Sequence, residues 1–263
     1  MTKITIGQYY PARSIIHRLD ARTKLVATMF FIVSIFWVGS WWGYLYALGA
    51  LGAVVVLSRV PPLFVLRGLR PMLLMLCLMA VLNVFFFPGG EIIFRFLFMS
   101  VSREGLLHAG MMATRLMILI AASSVMTLTV TPIQLTDAIE SLLKPLKIVK
   151  VPVHEIAMMM TIALRFIPTL MDEVDKIMKA QTARGGNFDS GGLLKKARAL
   201  IPLLVPLFVS AFRRADELAQ AMEARCYRGD VNRTKMNVAR LAFRDYCAAA
   251  IVAIYGVGLL LLR

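Results

Sequence analysis

Residues 25–58 read LVATMFFIVSIFWVGSWWGYLYALGALGAVVVLS, 34 positions without one charged side chain. As a single helix this run would be about 51 Å long, against a hydrocarbon core of about 30 Å. It must therefore fold back. Gly39-Ser40-Trp41-Trp42-Gly43 supplies the turn, and Trp41, Trp42 and Tyr44 suit the interface, where amphipathic rings collect. Outward from this hairpin, further uncharged runs cover Pro71–Gly90, Leu116–Thr136 and Tyr246–Leu262. Together they predict five membrane helices, near 25–39, 42–58, 63–87, 107–130 and 245–262.

The composition agrees. Of 263 residues, 59% are hydrophobic and 17% charged, with a mean hydropathy of +0.73. A soluble domain is nearer half apolar and a quarter charged. Disorder, collagen and a secreted disulfide scaffold are excluded by the same arithmetic. The net charge of +15 points to nucleic acid or a membrane surface, and the hydrophobicity decides for the lipid bilayer and against nucleic acid. Cys77, Cys226 and Cys247 are far apart, as are His17, His108 and His154, so neither a disulfide framework nor a metal site is expected. No cleavable signal peptide is expected, because the first apolar run starts late and turns directly into a second.

Basic residues orient the chain. Segments 1–24, 59–70 and 131–244 hold 26 of the 30 Lys and Arg, and the 39–43 turn holds none. The N-terminus is thus expected in the cytoplasm and the C-terminus outside. The expected organisation is an all-α polytopic membrane protein. Residues 1–130 form a transmembrane region of about four helices, 131–244 a cytoplasmic domain of long amphipathic helices, and 245–263 a last transmembrane helix. Arg115 lies inside a predicted span, which calls either for a function or for a partner in a neighbour or a lipid phosphate.

The cytoplasmic segment is too long for a loop and too apolar for a linker. It reads as a short helix over Leu135–Leu146 and two long ones, Val153–Thr182 and Leu193–Arg225. Gly185-Gly186-Asn187 and Asp189-Ser190-Gly191-Gly192 break the long pair. Each long helix is apolar first (Ile156–Leu164, Ala199–Phe212) and charged later (Asp172–Lys179, Arg213–Arg225). Helices of this kind lie at a membrane face with their polar ends toward a soluble partner, or pack on each other as an ordinary bundle. Pro168, Pro202 and Pro206 are expected to kink them. Met158, Met159 and Met160 suit a core, and equally a surface that adapts to several partners.

The most specific signal is an internal echo. Asp175 to Gly185 matches Asp216 to Cys226 at a constant offset of 41, with Asp, both Ala and Arg shared. Each copy ends a long helix in Ala-Arg and a small residue: Ala183-Arg184-Gly185 and Ala224-Arg225-Cys226. One such Arg would be read as complementing the helix dipole. Two in register suggest a shared task, each guanidinium fork docking an acidic site on a dimeric partner. The chain carries no P-loop, HExxH, CxxC or GxSxG pattern. The Asp172, Glu173 and Asp175 cluster is surrounded by Arg165, Lys176 and Lys179, which favours solvated ion pairs over a metal site.

Four stretches carry a family resemblance. They are Gly7-Gln8-Tyr9-Tyr10-Pro11 with His17-Arg18-Leu19-Asp20-Ala21-Arg22-Thr23-Lys24-Leu25, Val151–Glu155 with Ala163–Pro168, Ala180–Gly185, and Phe212–Gly229. The chain resembles the T component, the transmembrane coupling subunit, of energy-coupling factor transporters, which are ABC-type importers of vitamins and metal ions. Ala21 stands where the family commonly has Pro, and Cys226 where it has Gly; a Cys side chain resists the left-handed backbone that Gly accepts.

The resemblance implies a non-catalytic scaffold in the bacterial cell membrane without a cofactor of its own. Two partner ATPases would bind ATP and Mg. Ala183, Arg184, Gly185, Ala224, Arg225 and Cys226 would sit in their grooves. The apolar halves of the long coupling helices, with Met158, Met159, Pro168, Leu203, Leu207 and Phe208, would pass the motion to a membrane-embedded, substrate-binding S component. Two other readings remain open on the residues alone: an integral membrane enzyme acting on anionic lipid, for which no convergent acid or nucleophile cluster is visible, and a basic scaffold of the cytoplasmic leaflet without ATPases.

Overall fold

The computed structural model describes residues 9–86, 92–96, 99–186, 192–229 and 241–262. The chain forms two compact units, one of Met1–Ser141 with Val238–Arg263 and one of Leu142–Asn237. The first unit is a helix bundle: α1 (Ala21–Phe36), α2 (Trp41–Ser58), α3 (Pro62–Leu69), α4 (Leu73–Phe86), α5 (Arg103–Thr129), α6 (Pro132–Leu143) and α9 (Phe243–Leu261). A small antiparallel hairpin, β1 (Ile92–Phe96) and β2 (Met99–Ser102), lies within the stretch expected to be a loop. The second unit is dominated by α7 (Val153–Ala183) and α8 (Leu193–Ala224).

Among the described residues, five helices are long and apolar enough to cross a membrane: α2, the Pro62–Val84 stretch of α3 and α4, α5, α7 and α9. Pro71 interrupts the second of these with a short 3-10 turn over Arg70–Met72. α7 joins the set because its first half is apolar. α1, expected as a span, has 16 residues, about 24 Å of helix. It nevertheless runs the length of the bundle, because its two ends meet partners at opposite faces.

Those partners fix the directions of the helices. At one face, the Asp20 amide donates to Asp245 Oδ1 (2.9 Å) at the start of α9. There too, the buried Lys24 ammonium donates to the Thr129 carbonyl (3.1 Å) at the end of α5 and to the His17 carbonyl (3.3 Å). At the other face, the Arg115 guanidinium donates to the Val38 carbonyl and to the Tyr44 hydroxyl, both at 2.9 Å. The Ser40 hydroxyl donates to the Leu262 carbonyl (2.8 Å) beyond α9. α1 and α9 therefore run parallel, and α5 runs against them. Arg115 is thus the clamp of the α1–α2 turn, with the Phe36 and Tyr44 rings 6.0 and 5.8 Å from its guanidinium carbon.

α5 packs against α1, α2, α3 and α4. Its Ile118, Ala121, Ala122, Val125 and Leu128 build the core with Ile35, Tyr44, Ala47, Leu51 and Tyr255. α9 approaches closely enough that a Cβ on Gly256 would lie 2.7 Å from the Phe30 ring. The outward residues are also apolar: Val26, Met29, Phe30, Val33 and Phe36 of α1 are all exposed, as a lipid-facing stripe requires. α6 begins a turn earlier than expected. Thr131 and Gln134 exchange side-chain and backbone hydrogen bonds (3.2 and 3.3 Å), a capping box with Pro132 at the first helical position.

The His17 stretch seals the same face as Lys24. The His17 Nε2 faces the Tyr10 carbonyl at 3.0 Å, so it carries the proton, and Nδ1 accepts from the Ser14 hydroxyl at 2.7 Å. Burial is the main cause that holds the imidazole below its ordinary pKa, which keeps this neutral form. The Tyr10 amide in turn donates to Leu128 (2.9 Å). Asp245, 4% exposed, accepts from both Asp20 and its own helix start at Ala242 (2.8 Å). Asp245→Ala is expected to lower stability by about 1–3 kcal/mol, because two part-buried amides lose their acceptor. Asp245→Asn, which keeps one acceptor oxygen, should cost less; thermal unfolding in detergent reads both.

Candidate functional site

α7 and α8 pack against each other within the second unit, and two contacts give their direction. Glu173 accepts from Arg214 (3.0 Å) and from the Ser210 hydroxyl. The Tyr227 hydroxyl donates to Met158 Sδ (3.0 Å). Later residues of α7 thus meet earlier residues of α8, so the pair is antiparallel. Between the two contacts lies a cleft of about 280 Å³ lined by residues that include Ile162, Phe166, Leu218 and Met222. Of the acids read as a solvated cluster, Glu173 is instead the partner of Arg214.

Glu173 and Arg214 are 41 residues apart, the same offset as the echo. Two helices related by that offset and running antiparallel are related by a two-fold axis, and this ion pair sits on it. Arg184 and Arg225 each lie 11 residues beyond it, about 16 Å along their helices. They therefore occupy opposite ends of the pair. The echo has become a pseudo-symmetric object with one cationic tip at each end.

The two tips are built alike. Arg184 (φ −87°, ψ 9°) and Arg225 (φ −91°, ψ 11°) end their helices in nearly the same conformation. Gly185 follows at φ 89° and Cys226 at φ 56°. The amides of Gly185 and Gly186 return to Thr182 and Gln181 (3.0 and 2.9 Å). Those of Cys226 and Tyr227 return to Glu223 and Met222 (2.8 and 3.0 Å). Both ends are Schellman motifs, in which main-chain amides close the last carbonyls. Cys226 accepts the left-handed backbone that its side chain disfavours.

Both Arg side chains are exposed, and neither guanidinium makes an ion pair among the described residues. The backbone has closed the helix, so the side chain is free. Ala183 and Ala224 are exposed beside them. Asn187 and Asp189 to Gly191, expected in the break between the helices, lie outside the described residues, as do Gly7 and Gln8.

The other predicted residues are distributed over the apolar halves. Met159 and Phe208 are exposed (58% and 60%) and Leu203 is buried. Pro168 is exposed, and Met158 and Leu207 are half-buried. α7 runs through Pro168, and α8 through Pro202 and Pro206. Ile201, Leu204, Val205, Phe208 and Phe212 are all exposed at three- and four-residue spacing, an apolar stripe of the kind that marks a protein or membrane contact. Sequence reasoning missed the Glu173–Arg214 pair, although its 41-residue offset was available as a signal.

The left-handed Cys226 generates a stability test. Relief of strain by Cys226→Gly is expected to leave the protein equally stable or up to about 1 kcal/mol more so, and Cys226→Val to destabilise it by about 1–2 kcal/mol. Thermal unfolding and hydrogen exchange at the Tyr227 amide are the measurements.

Residues 12–236 match the family model CbiQ, described as cobalt transport protein. A protein of Ruminiclostridium cellulolyticum named energy-coupling factor transporter transmembrane protein EcfT is 52% identical over 252 residues, covering 96% of this chain and 94% of that one. Proteins of the same name from Thermosediminibacter oceani (51% identity, 100% and 99% coverage) and Listeria innocua (43%, 97% and 96%) are similar along their whole length. The chain belongs to the CbiQ cobalt transport protein family, among the transmembrane proteins of energy-coupling factor transporters.

Proposed function

We propose that this chain is the non-catalytic coupling subunit that joins two cytoplasmic ABC-type ATPases to a membrane-embedded S component for uptake of vitamins or related micronutrients. The observation that carries this reading is the pseudo-symmetric pair of helix ends. Two chemically equivalent Arg tips at opposite ends of one antiparallel pair suit a partner with two equivalent acidic grooves. ATP and Mg belong to the ATPases, and this chain carries no cofactor. The exposed apolar stripe of α8, with Phe208, and Met159 of α7 face the S component and the bilayer. The half-buried Met158 and Leu207, the buried Leu203 and Pro168 shape the helices behind them.

The protein lies in the cell membrane with its N-terminus in the cytoplasm. Arg13 and Arg18 before α1, Arg59 after α2 and Arg244 of α9 lie together at the face where α1 and α9 start and α2 and α5 end, and this supports that orientation. Single cysteines at Gly39 and Gly186, in a background without the native cysteines, are expected to label from opposite sides. Labelling of both by an impermeant reagent from outside would refute the arrangement.

Removing a docked, charge-paired Arg costs roughly 2–5 kcal/mol of association, about 30-fold or more in affinity, whereas loss of a dipole cap costs under about 1 kcal/mol. Arg184→Glu with Arg225→Glu is therefore expected to leave the protein in the membrane but without its ATPases, and to abolish uptake. Lys at either site should rescue partly, since it keeps the charge and loses the fork. Co-purification of the ATPases and substrate uptake in cells are the readouts. A double Glu variant that holds both ATPases and transports normally would overturn the assignment.

A further inference from the structure

Four arginines converge at the face of the bundle where α1 and α9 start and α2 ends. Arg13, Arg18, Arg59 and Arg244 line one open cavity of about 730 Å³, and among the described residues no acidic one lines it with them. All four are exposed, and none has a side-chain partner among the described residues. The nearest acids in sequence are already engaged: Asp245 is buried on the amides of Asp20 and Ala242, and Asp20 caps α1 through the Arg22 amide (3.0 Å). Four like charges around one cavity repel each other unless an anion enters.

The wall between the arginines is apolar. Val56, Leu57 and Ile15 line the same cavity and are 75%, 49% and 63% exposed. The depth of the site follows from the helices. Arg59 directly follows the 18-residue α2, and Arg244 is the second residue of the 19-residue α9. Each helix is about 27–29 Å long, close to the thickness of the hydrocarbon core. The guanidinium groups thus fall at the level of lipid headgroups, with the apolar wall at the level of the first acyl carbons. Arg59 is also held at φ 54°, a left-handed conformation that a non-glycine residue disfavours. A soluble polyanion would account for the arginines but would leave Val56 and Ile15 facing water.

We infer that this cavity is a binding site for the phosphodiester headgroup of an anionic phospholipid, with the arginines on the phosphate and Ile15, Val56 and Leu57 on the acyl chains. Basic pockets between membrane helices hold such headgroups in this way, and Arg offers the planar fork that phosphate oxygens match. The site depends on the bundle spanning a bilayer and not on the coupling role of α7 and α8, so either assignment can fail without the other.

The test uses the delipidated full-length chain in mild detergent, with retained lipid read by native mass spectrometry. Phosphatidylglycerol and phosphatidylcholine carry the same acyl chains in this comparison. The unmodified chain is expected to retain phosphatidylglycerol at least about 10-fold more strongly, since each basic group near a lipid surface contributes severalfold. The triple variant Arg13→Gln, Arg59→Gln, Arg244→Gln should lose that preference. Lys144→Gln, Lys176→Gln, Lys179→Gln, which removes the same charge from the second unit, should keep it. Millimolar inorganic phosphate should not displace the lipid. Equal retention of both lipids by the unmodified chain overturns the inference without reliance on any variant. So does a preference that survives the arginine changes, or one lost equally in both triple variants. Displacement by inorganic phosphate would reassign the cavity to a soluble phosphate and overturn the lipid.

Discussion

In a bilayer, every helix end that does not reach water must find partners for its last backbone groups. The bundle depends on meeting that constraint with few side chains. Lys24 closes the end of α5 and Asp245 the start of α9 while it also holds the Asp20 amide, and Arg115 takes the carbonyl left open after α1. Each of these charged groups is also a tie between two helices, so capping and assembly are one event. The cost of placing charge in an apolar bundle is offset because each charge answers a backbone group that would otherwise be unsatisfied.

The second unit meets the same requirement in the opposite manner. Its long helices end in main-chain Schellman motifs, which need no side chain beyond a residue that tolerates positive φ. The Arg before each motif is thereby released. In the bundle Lys24 and Arg115 are used up by the fold; at the ends of α7 and α8 neither Arg makes an ion pair among the described residues.

Much of this was legible in the sequence. Uncharged runs gave the bundle's helices within a few residues, and the 11-residue echo pointed to Arg184 and Arg225 before any geometry. The ties were not legible, because they join residues 105 apart (Lys24 and Thr129) and 225 apart (Asp20 and Asp245). The His17–Leu25 stretch was visible as a motif, yet its purpose, a seal between three helix ends, needs the third dimension. The Glu173–Arg214 pair escaped because an acid and a base do not align as similar residues; only the antiparallel packing makes them counterparts. The start of α6 was misplaced because the apolar run through Thr136 obscured a capping box that Thr131 and Gln134 spell out. β1 and β2 are too short for their pattern to stand out from a loop.

The position of the Glu173–Arg214 pair has a mechanical consequence. It makes the two helices a lever with equal arms, about 16 Å from the axis to each Arg tip. A scissoring rotation of about 10° at that point carries each tip by about 3 Å in opposite senses, with the pair itself nearly stationary. A partner that pulls on both tips at once would therefore produce rotation with no net translation. The hydrophobic cleft beside the pair, being on one side of the fulcrum, would open or close with the sign of that rotation.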